Sequence, residues 1–251
     1  MSDQQNHILI EQQDDILTIR FNRSDKKNAL TTAMYASILE ALIAADQDDS
    51  VKVILFAAQP DMFTAGNDLK DFLAQGSAEE PEAMKMLRQL AVQKKPILAA
   101  ASGIAVGIGV TLLLHCDLVY VGESTRLRLP FVNLAVVPEA ASSLLLPDIM
   151  GRQRASELLM LGDFFDAQRA REYGIANAVI ANEEVFEYAL AKARELAEKP
   201  REALLLTKQL ITQTRRSDVQ QRIDDEGVIF GERMVSEEAR QVMGAFFSGK
   251  S

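Results

Sequence analysis

Phe63-Thr64-Ala65-Gly66-Asn67-Asp68-Leu69 and Gly103-Ile104-Ala105-Val106-Gly107-Ile108-Gly109-Val110-Thr111-Leu112-Leu113-Leu114-His115-Cys116-Asp117 decide how this chain is read. In each, glycine sits directly after or within an apolar run, where the chain turns toward a helix. Such turns present backbone N–H groups. Two of them, from separate strands, can aim two donors at one carbonyl oxygen, which is the requirement of an oxyanion hole. Taken alone, Gly103, Gly107 and Gly109 fit a second reading equally well, a helix packed closely on a sheet.

Working outward, residues 8–11 and 16–21 alternate apolar and polar around Gln12-Gln13-Asp14-Asp15, which predicts a β-hairpin. Thr31 or Thr32 caps a helix running to about residue 46, with Met34, Ile38, Leu42 and Ala45 on one face. Residues 51–57 are almost wholly apolar, as a buried parallel strand requires. Helices over 68–74 and 81–93, a strand over 96–101, a buried helix over 109–115 and a strand over 118–121 continue the series. This alternation predicts an α/β fold with right-handed crossovers. From Gly151 onward helices dominate, over 153–161, 166–173, 183–198, 201–215 and, with interruptions, 219–247. Lys199-Pro200 marks a boundary between a core domain, residues 1–199, and a helical region, residues 200–251. In that region Val228, Ile229, Phe230, Met234, Val242, Met243, Phe246 and Phe247 need an apolar partner, either a neighbouring subunit or the chain's own core.

The 48% hydrophobic and 25% charged fractions of these 251 residues are those of a soluble globular protein. No run approaches the roughly 18 to 20 apolar residues of a membrane span. The polar start, Met1 to His7, predicts no signal peptide, so a cytoplasmic protein is expected. A net charge of −9 argues against a broad nucleic-acid surface but not against a small anionic ligand. Cys116 is the single cysteine, and His7 and His115 are the only histidines. A histidine-assisted nucleophile therefore has few players, and no spaced ligand set predicts a metal. His115 and Cys116 read as core residues. Gly107-Ile108-Gly109 lacks the third glycine of the dinucleotide fingerprint.

Four blocks, in order and spacing, resemble the crotonase (enoyl-CoA hydratase/isomerase) superfamily: Lys26-Lys27-Asn28-Ala29-Leu30, the segment 63–69, the segment 103–117, and 129–151 followed by Arg154-Ala155. The resemblance covers about residues 8–174 and is weaker in the C-terminal helices. It implies a crotonase-like spiral of ββα units with a C-terminal helical trimerisation region, in a homotrimer or hexamer. It implies acyl-CoA thioester substrates, with coenzyme A as part of the substrate and no separate cofactor. By position, the oxyanion donors are the backbone N–H groups of Asn67 and Ile108, the latter where many members carry glycine. Ala65, Gly66, Asp68 and Leu69 line the path of the CoA and thioester. Lys27 lies near the CoA, or is a solvated loop lysine.

In this family, hydration of a 2-enoyl-CoA resembles the work of two glutamates. One falls four positions after Gly107 and the other directly after Pro130. Here those positions hold Thr111 and Phe131, which become pocket walls. Another carboxylate stands in Val136-Val137-Pro138-Glu139-Ala140-Ala141-Ser142-Ser143, either as a surface loop glutamate or in apolar surroundings that raise its pKa and make it a better proton shuttle. With Leu129-Pro130-Phe131 and the 105–113 segment, this stretch is similar to the peroxisomal-type 3,2-enoyl-CoA isomerase branch, in which a glutamate at the position of Glu139 is the base. The resemblance thus implies an enoyl-CoA delta isomerase, moving a proton from C2 to C4 through one glutamate. Other members' chemistry stays open: ring or epoxide acyl-CoA isomerisation, residual hydration, or acyl-CoA binding without turnover. Gly249-Lys250-Ser251 lacks the terminal leucine of a peroxisomal signal. Loops near residues 72–81 are expected to set pocket depth.

Overall fold

The computed structural model describes residues 6–58, 62–74 and 80–247, the last positions of α2 and α10 by backbone alone. The expectations placed on residues 75–79, on the side chains of Phe246 and Phe247 and on the last four residues lie outside it. Ten strands are described: β1 Ile8–Gln13, β2 Ile16–Phe21, β3 Val53–Ala57, β4 Met62–Thr64, β5 Ile97–Ala101, β6 Ile104–Val106, β7 Leu118–Gly122, β8 Arg126–Arg128, β9 Phe165–Asp166 and β10 Ala178–Ile180. They form a six-stranded sheet, β1-β2-β3-β5-β7-β10, and a four-stranded sheet, β4-β6-β8-β9. The expected hairpin is β1–β2, antiparallel, turning at Asp14-Asp15 with Asp14 at φ 54°. From β2 on, the larger sheet is parallel.

The helices are α1 Thr32–Gln47, α2 Leu69–Ala74, α3 Glu82–Val92, α4 Ile108–Thr111, α5 Ser142–Met150, α6 Arg152–Leu161, α7 Ala167–Glu172, α8 Val185–Ala197, α9 Arg201–Met234 and α10 Glu237–Phe247. Each pass of the chain lays a strand in the large sheet, then a short one in the small sheet, then a helix: β3-β4-α2, β5-β6-α4, β7-β8-α5. This is the ββα spiral. Its parallel strands β4, β6 and β8 end side by side.

The large sheet is covered on both faces, which is why its central strands read as unbroken apolar runs. Val53, Leu55, Leu98 and Ala100 face α8, against Val185, Ala189 and Ala193. Ile54, Phe56, Ile97 and Ala99 face the other way, into the main core with Met34, Ile38 and Leu42 of α1 and Met86, Leu87 and Leu90 of α3. The Thr31 hydroxyl accepts from Met34 N and caps α1, as expected of that threonine.

Three features depart from the residue patterning. The small sheet belongs to the ββα spiral that the resemblance implies, but residue patterning does not mark its strands, which are two or three residues long and carry too little alternation to register. Helix α5 was not anticipated either. In the C-terminal region the expected break near residues 216–218 is absent, and α9 runs 34 residues without interruption. Ser217 and Asp218 are poor helix formers, but each costs only about 0.5 kcal/mol, too little to break a packed helix. Val219, Ile223, Met234, Ala239 and Met243 bury themselves in the main core. The outer face of α9, with Leu206, Leu210, Ile211, Val228 and Ile229, is exposed.

Candidate active site

Three turns meet at the carboxyl ends of β4, β6 and β8, the edge where open parallel sheets bind ligands. After β4 come Ala65, Gly66 and Asn67; after β6, Gly107 and Ile108; after β8, Leu129, Pro130 and Phe131. Gly66 takes φ 93° and Gly107 takes φ 55°, ψ −117°, so each turn reverses through a backbone geometry that a side chain resists. A Cβ on Gly66 would lie 3.0 Å from the Val106 carbonyl oxygen, which brings the first two turns together. Gly107 N donates to Arg128 O at 2.9 Å and ties in the third. The residue after each glycine is a proposed donor. The N–H groups of Asn67 and Ile108 reach no acceptor among the described residues. Gly109 has the packing role: a Cβ there would lie 2.6 Å from Thr64 Cγ2, so α4 sits directly on β4.

The first turn is braced from behind. Asn28, wholly buried, donates from Nδ2 to Met62 O and Phe63 O, and Thr64 Oγ1 donates to Asn28 O. Asp68 accepts at Oδ2 from Arg23 at 2.8 Å and at Oδ1 from the N–H groups of Lys70 and Asp71. Burial works to raise the pKa of Asp68, yet the Arg23 guanidinium and those N–H groups hold it below the ordinary carboxylate range. Both its oxygens are engaged in bracing, an occupation different from the substrate contact expected of it. Lys27 presents its carbonyl to Ala65 N at 3.0 Å, and its side chain is exposed. Ala65 and Leu69 are half-buried beside Asn67.

Glu139 joins the second turn through α4. Its Oε1 accepts from Thr111 Oγ1 at 2.9 Å, one turn along α4 from Ile108. Its Oε2 accepts nothing among the described residues. Burial pushes the Glu139 carboxyl up to about 7, with the Thr111 hydroxyl acting to lower it and the charge of Glu226 to raise it. Thr111 is fully buried and Phe131 nearly so.

Two residues that the sequence did not single out belong to this constellation. Tyr35, buried on α1, donates its hydroxyl to Asn67 Oδ1. Burial, then the charge of nearby Glu139, keeps that phenol protonated. Glu226, on α9, accepts from Ala141 N at 2.6 Å and Ser143 N at 3.0 Å. Tyr35 carried the signal of any aromatic on an apolar helix face. Glu226 is 85 residues from Ala141, beyond any local pattern.

His115 Nε2 donates to Ala140 O at 2.8 Å, and burial lowers its pKa, so the imidazole is neutral and structural. Burial also pushes the Cys116 thiol far up, and its Sγ lies against Leu112 O. Neither is a nucleophile.

Comparison with known proteins finds relatives along most of the chain. The family model described as Enoyl-CoA hydratase/isomerase matches residues 11–249. Human Enoyl-CoA delta isomerase 2 is 32% identical over 252 residues; the match takes in 97% of this chain and spans 64% of the human protein's length. The 2,3-dehydroadipyl-CoA hydratase of Escherichia coli (strain K12) is 29% identical, over 97% of this chain and 96% of that one. The solved structure of Pseudomonas aeruginosa OdaA superposes with a TM-score of 0.93 at 42% identity, covering 96% of this chain and 98% of that one.

Proposed function

The chain belongs to the enoyl-CoA hydratase/isomerase (crotonase) family, and within it we propose that the protein is a 3,2-enoyl-CoA isomerase with Glu139 as its single base. The thioester oxygen of a 3-enoyl-CoA accepts from Asn67 N–H and Ile108 N–H. Ionised Glu139 takes a proton from C2. The electron pair moves onto the thioester oxygen, giving a dienolate held by the two donors, each worth about 3–4 kcal/mol in such sites. Glu139 returns the proton at C4. The double bond then lies between C2 and C3, conjugated with the thioester. The shuttle asks for no cofactor beyond the CoA moiety of the substrate, with Lys27 on the CoA side and Ala65, Gly66 and Leu69 along its path.

One observation carries this reading: among the described residues Glu139 Oε2 accepts no bond, on a carboxyl poised at about 7, while both oxygens of the nearby Glu226 are occupied. A base matched to the working pH is the more effective catalyst. Hydration needs a second acid–base group to hold water. Thr111 spends its hydroxyl on Glu139, Phe131 is apolar, and both oxygens of Glu226 are taken by backbone N–H groups. The similarity to Enoyl-CoA delta isomerase 2 supports the same assignment.

Parallel assays of the purified protein on a 3-enoyl-CoA and a 2-enoyl-CoA test it. Isomerisation exceeding hydration by orders of magnitude is expected. Hydration as the faster reaction would replace this reading with a hydratase, and acyl-CoA binding without turnover of either would replace it with a binding subunit.

A further inference from the structure

We propose that Glu226 is the positioning residue of the active site, a carboxylate on the C-terminal helix that holds the backbone behind Glu139 in the one conformation that points Glu139 at the oxyanion turns. The inference rests on the role proposed for Glu139 and extends it to a residue far away in sequence.

The segment after Glu139 needs holding. Ala140 and Ala141 are consecutive left-handed residues, at φ 59° and 57°, and neither is glycine. Alanine adopts this geometry only where the surroundings fix it. Three elements supply the fixing. Ser142 donates from N and from Oγ to Glu139 O, at 3.0 and 2.6 Å. His115, in the turn after α4, donates to Ala140 O. From α9, the two oxygens of Glu226 accept from Ala141 N and Ser143 N, and Arg222 donates to Ser143 Oγ at 3.2 Å. Glu226 is 5% exposed, so water does not replace these bonds. An ionised carboxylate accepts at both oxygens with no O–H to turn away. A glutamine presents one acceptor and turns an NH₂ group toward the other backbone N–H. The carboxylate also closes the open N-terminus of α5, where N–H groups lack intrahelical acceptors.

The arrangement has a second consequence. Among the described residues, Thr111 from α4 bonds the Glu139 carboxyl, Glu226 from α9 acts on it through its charge, the Tyr35 phenol from α1 feels the charge of Glu139 in turn, Ser142 and His115 hold the backbone beside it, and Arg222 from α9 faces Glu226. Of these, Glu226 is the negative charge that helps keep Glu139 protonated up to near neutrality. Position and proton affinity of the base thus depend on one residue of the C-terminal helix.

The test is Glu226→Gln, with Glu226→Asp as the variant that keeps the charge. Three quantities are read: kcat and KM on a 3-enoyl-CoA, the thermal midpoint, and the titration midpoint of Glu139 by carboxyl-carbon NMR without substrate. In Glu226→Gln we expect kcat to fall about 10- to 100-fold with KM within about twofold, as for a displaced catalytic group, and the Glu139 midpoint to move down. Glu226→Asp should retain the midpoint and recover part of kcat. A Glu226→Gln protein that loses thermal stability but keeps wild-type kcat and Glu139 midpoint would overturn the proposal, leaving Glu226 as a helix cap alone. Should Glu226→Gln fail to fold, the same comparison is made in an Ala140→Gly/Ala141→Gly background, where the left-handed backbone is at ease. There too an unmoved Glu139 midpoint contradicts the proposal. If the wild-type protein turns over no 3-enoyl-CoA, the isomerase reading fails, while the substrate-free midpoint still decides the role of Glu226.

Discussion

Glu139 keeps its proton up to about pH 7, so both rate and stability depend on pH through it. Because the base acts ionised, kcat/KM should rise about tenfold per pH unit below neutrality and level off above about 7. Thr111→Val removes the hydroxyl bond that favours the ionised form, so the acid limb should move to higher pH; a pH–rate profile of the pair checks both expectations. The stability effect has the opposite sign. Between the ordinary value of 4.5 and about 7, the folded chain holds a proton that the unfolded chain releases. Raising the pH through that window therefore costs stability, fully above 7 and not at all below 4.5. Glu139→Gln should consequently be more stable than wild type at pH 8, by up to about 3 kcal/mol, with the gain vanishing near pH 4.5, as denaturant titrations at the two pH values will reveal. Glu139 was legible in the sequence through the family resemblance, since its apolar neighbours alone fit a surface loop glutamate as well. Tyr35 was not, because its hydroxyl partner Asn67 lies 32 residues away and nothing in its helix distinguishes it from a core aromatic.

At the level of elements, the site depends on two parallel strands ending together and reversing through glycine. Gly107→Ala places a Cβ on a residue at φ 55°, ψ −117°, a geometry that alanine cannot share. The turn must rearrange, and Ile108 N–H loses its aim. Loss of one oxyanion donor should lower kcat about 10²- to 10³-fold, measurable on a 3-enoyl-CoA with circular dichroism confirming the fold. The glycine-bearing turns, the capped α1 and the strands of the large sheet other than β10 were readable because each carries a complete local pattern: period, cap or reversal. The strands of the small sheet were not. Arg126–Arg128 is charged, apolar, charged, and it becomes a strand only because Ile104–Val106 lies beside it. Asp68 shows the same limit. Its place in the turn was evident, but its partner Arg23, 45 residues earlier, which makes it a brace, was not.

Across the whole molecule, α9 has two faces with different tasks. Its inner face carries Val219 and Ile223 into the core and Glu226 onto the loop behind the base. Its outer face leaves Ile211 74% and Leu210 66% exposed, a surface suited to a neighbouring subunit. The trimer or hexamer implied by the family resemblance would cover it. Light scattering should therefore give three or six times the 27.7 kDa of one chain, and Leu210→Glu/Ile211→Glu should shift it to monomer. The sequence left open whether the C-terminal apolar residues serve the core or a partner. Met234 and Met243 enter the core while Val228 and Ile229 stay exposed, and only the position of the rest of the fold reveals that division. Every step of the proposed shuttle passes through one carboxyl group, so the most direct measurement is the turnover of a 3-enoyl-CoA by Glu139→Gln at pH 8. A fall in kcat of about 10²- to 10⁴-fold, with acyl-CoA binding retained, is predicted; turnover near that of the wild type would contradict the single-base account.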